Sequence, residues 1–249
     1  MNKLIKAEFY RVSHSGIFLK IFIIMGLFPL LMVFVSLSDL DEINMFSVLT
    51  TYSQGGGFLI SGYVGIILSA MISNMYQNRT YYYEIMDGAS THHIILSKII
   101  VYDIISAAVL IIPTIITFIV MGNSYPMGGL EEIGTTVFLG ILIIMNIVNC
   151  TIFITMLIRH ILGGPVLNYT LGIFPMMIYL TLPELTDEHK KITDVLSFLP
   201  YTQITEFVKP EYENSFIFKV VGTFVVCFAV LYALTYASFK KKNFKYRRT

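Results

Sequence analysis

The residues able to do chemistry gather in one stretch, Tyr76 to Lys98, which reads YQNRTYYYEIMDGASTHHIILSK. Arg79, Glu84, Asp87, His92, His93 and Lys98 fall here, between two long apolar runs. The chemistry this set offers is recognition rather than catalysis. His92 and His93 are adjacent, so on a helix they diverge by about 100° and make a poor metal pair. His160 stands alone. The chain has no GxxxxGKS/T phosphate loop, no HExxH, no GxSxG and no clustered Cys/His ligands. No catalytic residue and no metal ligand is therefore assigned. Cys150 and Cys227 both lie in apolar runs and make neither a disulfide framework nor a metal site.

The stretch is long enough to form a helix of its own. Gly88 stands where a helix needs a left-handed C-terminal residue, and Ser90 or Thr91 then serves as N-cap for the next helix. The first helix, roughly 78–87, carries Tyr81, Tyr82 and Tyr83 in a row, with Ile85 and Met86 behind them. A helix that short is marginal in water, so its aromatic side chains need a surface. Two surfaces are open: a cleft in a cytoplasmic partner, or the lipid interface, where tyrosine is also favoured.

The elements that must position this stretch are apolar. Of 249 residues, 55% are hydrophobic and 13% charged, with a mean hydropathy of +0.72. A soluble domain carries about 25% charged residues, so the fold class is an all-α polytopic membrane protein in a single transmembrane domain, 1–249. Six runs approach the ~20 residues needed to cross a bilayer: about 17–37, 57–75, 99–121, 135–158, 162–182 and 216–238. Residues 17–35 follow a basic segment but exceed the ~7–15-residue core of a signal peptide, and more spans follow, so they read as a retained helix. Only Arg159 and His160 separate the fourth and fifth runs, a tight helical hairpin.

Residues 1–15 repeat Met1, Ile5, Phe9 and Val12 on one side and Lys3, Lys6 and Tyr10 on the other. That pattern predicts an interfacial helix with its basic face along an anionic leaflet. With the N-terminus inside, thirteen of the seventeen Lys and Arg residues lie on the cytoplasmic side, six of them in the C-terminal tail. The outer segments hold four beside twelve acids. The positive-inside rule then puts both termini in the cytoplasm of a plasma-membrane protein.

Gly57, Ser61, Gly65, Ser69 and Ser73 follow one another four apart down one face of the second span, a stripe for close helix contact. Asp103 lies near the cytoplasmic end of the third span, within about a turn of Lys98. Asn146 and Asn149 share a face of the fourth span, and Asn168 lies in the fifth; such amides either bond across helices or face a wet cavity. Gly163, Gly164, Gly172 and Pro175 predict a kink or break in the fifth. The outer loop from Pro183 to Ser215 holds ITDVLSFLPYTQITEFV, too apolar for a solvated loop and too short to span. It predicts re-entrant helices turning near Pro200 before the sixth span.

This pattern resembles the permease subunits of ABC type-2 exporters, most closely the small branch exporting peptides or antimicrobials or giving immunity to them. MNKLIKAEFYRVSHSGIFLKI is similar to the family's opening. EIMDGASTHHIILSKII resembles its loop into span three, and SFLPYTQI its outer motif. The family's acidic-basic-Gly-Thr start of the coupling helix is here Gln77-Asn78-Arg79-Thr80, which matches only at the basic residue and the threonine. The resemblance implies two permease chains, as a homo- or heterodimer, with two copies of a separate ABC ATP-binding subunit. ATP and Mg then belong to that partner, and this chain holds no cofactor and binds no nucleic acid. It also implies that Arg79, Tyr81, Tyr82, Tyr83, Glu84, Ile85, Met86, Asp87 and Gly88 form the coupling helix. The cargo implied is hydrophobic or amphipathic, with a peptide foremost. Rival readings are an ion- or proton-coupled carrier using Asp103, an intramembrane enzyme, and a non-transporting membrane anchor or sensor for an ATPase.

Overall fold

The computed structural model describes residues 1–16, 63–78, 80–121, 130–181, 190–206 and 214–246. All regular structure among them is helical. Helix α1 spans Asn2–His14. A π-helical turn, Tyr63–Leu68, runs into α2, Ser69–Gln77, and the short α3 follows at Thr80–Met86. Then come α4 (Thr91–Met121), α5 (Leu130–Ile158) and α6 (Gly163–Thr181). Two one-to-two-turn helices, α7 (Lys190–Leu196) and α8 (Pro200–Glu206), precede the long α9 (Asn214–Tyr246). The ranges expected as the third to sixth spans thus fall on α4, α5, α6 and α9. The first expected span, with Gly57 and Ser61 of the second, lies outside the described residues.

Two helices among the described residues are long and apolar enough to cross a membrane. They are Val137–Ile158 within α5, of mean hydropathy 2.5, and Ser215–Lys240 within α9, of mean hydropathy 2.3. They are placed differently: 67% of the first apolar segment is buried in the chain and only 11% of the second. Helix α5 is the central post, touching α2, α4, α6, α8 and α9. Its Leu139, Ile143, Ile147, Val148, Ile152, Phe153 and Met156 are enclosed with Ile94, Ile95 and Val101 of α4.

Helices α5 and α9 run side by side in the same direction. The Phe153 ring meets Phe228 edge-on at 5.8 Å and Tyr232 at 6.2 Å. Further along, Arg159 reaches Ser238 at 3.3 Å and lies 4.3 Å from the centre of the Phe239 ring. Rings that interlock at successive turns hold the register between the two helices.

Helix α6 continues through Pro175, so of the kink or break expected in this helix the break is not seen. A proline withdraws one backbone donor, and the turns on either side hold the helix. Pro200 is the first residue of α8, where its missing N–H costs least. The Phe198 and Leu199 amides bond back to Val195 and Leu196, which closes the corner between α7 and α8. Tyr201 and Gln203 then turn inward, with the Tyr201 hydroxyl 3.2 Å from Thr151 and the Gln203 amide 3.2 Å from Thr223. These bonds satisfy polar groups that burial among helices would otherwise strand.

Candidate functional site

Helix α3 is punctuated at both ends by side-chain and backbone chemistry. The Ala89 amide donates to the Glu84 carbonyl and the Gly88 amide to the Ile85 carbonyl, each at 3.1 Å. That pairing is a Schellman closure, which needs a left-handed residue, and Gly88 supplies it with φ +83°. Two residues on, Ser90 caps α4: its hydroxyl accepts the His93 amide at 3.3 Å, and its carbonyl accepts the Ile94 amide. The Gly-Ala-Ser corner therefore sets the angle between α3 and α4.

The inner face of α3 is bolted to the bundle. Tyr81 is buried and stacks on Tyr76 of α2, ring centres 4.1 Å apart, with Phe239 of α9 tilted against both. Burial holds the Tyr81 and Tyr76 hydroxyls well above the usual phenol range, so both rings stay neutral. The Tyr76 hydroxyl donates to the Met156 carbonyl at the end of α5 at 3.3 Å.

Beside this stack lies a cluster of two acids and two bases. The Lys98 side chain, 0% exposed, puts its ammonium 3.2 Å from Glu8 of α1 and 3.6 Å from Glu84 of α3. Arg11 of α1 is 2.9 Å from Glu8 and 3.6 Å from Glu84. Lys98 also sits 4.7 Å from the centre of the Tyr81 ring. An unpaired ammonium at such depth is costly; two carboxylates and a π-face compensate it. The four charges cancel, so the cluster works as a local clamp joining α1, α3 and α4.

Arg159 extends the chain of contacts to the α5–α6 turn. It adopts φ 56°, the left-handed region that an arginine enters at a cost of about 1 kcal/mol. Its Nε bonds to the Met156 carbonyl, and the guanidinium rests on Phe239 and faces Tyr76. His160 accepts the Leu162 and Gly163 amides at the start of α6. Arg159 and His160 thus open a short folded corner between Ile158 and Gly163, in place of the two-residue connection expected for the tight hairpin.

The outer face of α3 is exposed at its described residues. Tyr83 is 62% and Met86 69% exposed, and Asp87, His92 and His93 are exposed beside them. The residues assigned to coupling therefore divide. Tyr81 and Glu84 face inward, Ile85 is half-buried against the core, and Tyr83, Met86, Asp87 and Gly88 face out. Arg79 and the Tyr82 side chain lie outside the described residues.

The small-residue stripe makes contacts within the chain. A Cβ on Gly65 would lie 3.5 Å from the backbone of Tyr169 in α6. Ser69 bonds back to the Gly65 carbonyl and, at 3.0 Å, to Ile66. Ser73 packs at Gly164, where a Cβ would come within 2.8 Å of its hydroxyl. The three asparagines are buried and bonded. Asn149 donates to Asp103 of α4 at 3.3 Å, and Asn168 donates to Thr155 and to the Gly164 carbonyl, each at 2.9 Å. Asn146 accepts from Cys150 at 3.8 Å. Asp103 is thereby a tie between α4 and α5.

Glu8 and Arg11 were not singled out from the sequence. The signal was present: Glu8 is the one acid of residues 1–15, and it falls on the helix side shared by Ile5 and Val12. Both of those residues pack inward, whereas Met1 and Phe9, expected on the same apolar side, are exposed. The described residues hold no group of three or more His, Cys, Asp or Glu able to bind a metal ion. No protein-family model matches this chain, and no curated protein does.

Proposed function

We propose that the chain is the membrane-spanning subunit of an ATP-driven exporter in the plasma membrane. It crosses six times with both termini in the cytoplasm, and it pairs with a second permease chain and two ABC ATP-binding subunits. Those partners carry ATP and Mg, and the cargo is a hydrophobic or amphipathic molecule, a peptide foremost. One observation carries this reading: α3 is locked on its inner face by Tyr81 and Glu84 and presents Tyr83, Met86 and Asp87 outward. Aromatic residues and methionine are enriched in interface cores. The exposed Asp87 suits a cleft with a basic residue better than an anionic leaflet does.

The clamp gives the reading a mechanism. When the ATP-binding dimer closes, a push on α3 cannot be absorbed locally. It passes to α4 through Glu84 and Lys98, to α1 through Glu8 and Arg11, and to α2 and α9 through the Tyr81, Tyr76 and Phe239 rings. The inner ends of several helices then move together. A carrier driven by Asp103 is less well supported, because Asp103 is engaged with Asn149.

A photoreactive phenylalanine analogue at position 83 tests this in native membranes. Illumination gives an adduct to an ATP-binding subunit, identified by mass spectrometry, while the same analogue at position 81 gives none. Adducts to lipid alone from position 83 would overturn the reading.

A further inference from the structure

Asp103 is the one acid in α4, and residues 137–158, 163–181 and 215–240 of the other long helices hold none. It is 7% exposed, and its Oδ2 accepts the Asn149 side-chain amide of α5 at 3.3 Å. Its Oδ1 is buried without a hydrogen-bond partner, and so is the Oδ1 of Asn149. Among the described residues no lysine, arginine or histidine stands within ion-pair distance of it. On α5, Asn149 is neutral, and Asn146 and Cys150 beside it bond to each other. Lys98 lies five residues earlier in α4, about 7.5 Å along the axis. It is taken up by Glu8 of α1 and Glu84 of α3, as is Arg11. His92, at the start of α4, meets the Tyr232 hydroxyl of α9.

A carboxylate can only accept hydrogen bonds, so an ionised Asp103 would be a desolvated charge held by one neutral donor. Lys98 shows the contrast, with two carboxylates against its ammonium. Two unpartnered acceptors on side chains already bonded to each other point to a missing hydrogen. We infer that Asp103 binds a proton on Oδ1 and stands as the neutral acid, donating to the Oδ1 of Asn149. Carboxyl and carboxamide then form a closed pair with one bond in each direction, and a single proton satisfies both stranded atoms. The terminal torsions of Asp and Asn are broad, so the two oxygens can turn toward each other at little cost. A metal cation fits less well. A hard cation takes about six oxygen ligands, whereas the next unpartnered atom, one turn away on Asn146, is the donor Nδ2. The bound proton makes the tie between α4 and the central helix two hydrogen bonds instead of one. It also leaves the apolar length of α4 without a charge. The inference does not depend on the exporter reading.

The test is infrared spectroscopy of the full chain in lipid nanodiscs at neutral pH, with heavy carbon in its aspartate carboxyls. The expected spectrum has a protonated-carboxyl C=O band that moves with the label and in heavy water. Asp103→Asn reproduces the closed pair with an amide in place of the acid, so it is expected to fold and to lose the band. Asn149→Leu is expected to shift the band or remove it, because the acid loses its partner. The labelled wild-type chain and Asn149→Leu decide the matter even if Asp103→Asn does not fold. Carboxylate bands alone in the labelled wild-type chain would overturn the inference. So would an acid band that survives Asp103→Asn or that Asn149→Leu leaves unmoved.

Discussion

The Lys98 ammonium lies 3.2 Å from the Glu8 carboxylate, although ninety residues separate them in the chain. A lysine at the inner end of an apolar helix ordinarily extends its charge to the headgroups. Lys98 is instead fully enclosed, because Glu8, Glu84 and Tyr81 close over it. This contact makes α1 part of the bundle on one side, while Lys3, Lys6, Phe9 and Tyr10 stay exposed on the other.

Breaking the clamp on one side leaves a buried charge without its partner. Lys98→Met is expected to destabilise the chain by about 3–5 kcal/mol. Glu8→Gln made in that background restores part of the loss, because one stranded carboxylate is removed. Unfolding curves in detergent for the two single variants and the double variant give the coupling energy. A cost under about 1 kcal/mol for Lys98→Met would mean the cluster is screened like a surface pair.

The tyrosines of α3 have different roles and are expected to fail differently. Tyr81→Ala removes a buried ring and lowers the melting temperature, with a cost of about 3–5 kcal/mol. Tyr83→Ala leaves the melting temperature unchanged and weakens co-purification of the proposed ATP-binding partner, by about 2 kcal/mol of binding. Equal effects of the two changes on both readouts would contradict the division into inner and outer faces.

Glycine positions rank by what an added methyl meets. At Gly172 a Cβ would come 2.7 Å from the Tyr201 ring, so Gly172→Ala is expected to cost about 1–3 kcal/mol. Gly65→Ala meets the α6 backbone only at 3.5 Å and is tolerated, whereas Gly65→Leu prevents the close approach and lowers the yield of folded chain. Ile66→Val, on an exposed position, is the matched control. Thermal melts of the four purified variants give the order directly.

Sidedness follows from the charge distribution. With Cys150 and Cys227 replaced, single cysteines at Ser90 and Thr186 are expected to react from opposite sides of intact cells. An impermeant maleimide applied outside labels position 186, and position 90 only after the membrane is opened. Labelling of both from outside would overturn the orientation.

The sequence by itself determined the helical class, the placement of the long apolar helices and the local punctuation around α3. These are short-range properties: hydropathy is read over one helix, a left-handed Gly88 over one turn, and the Ser90 cap over three residues. The tertiary structure alone decided which side of α3 faces in and that Lys98 is enclosed. It also decided that Asn149 and Asn168 bond between helices and that α6 passes Pro175 unbroken. Periodicity says which residues share a face of a helix. It carries no information about which neighbour that face meets, and a charge on it looks the same in sequence whether it ends at the headgroups or beneath another helix. For Lys98 that choice rests on the rotation of α1, which presents Glu8 where the lysine ends.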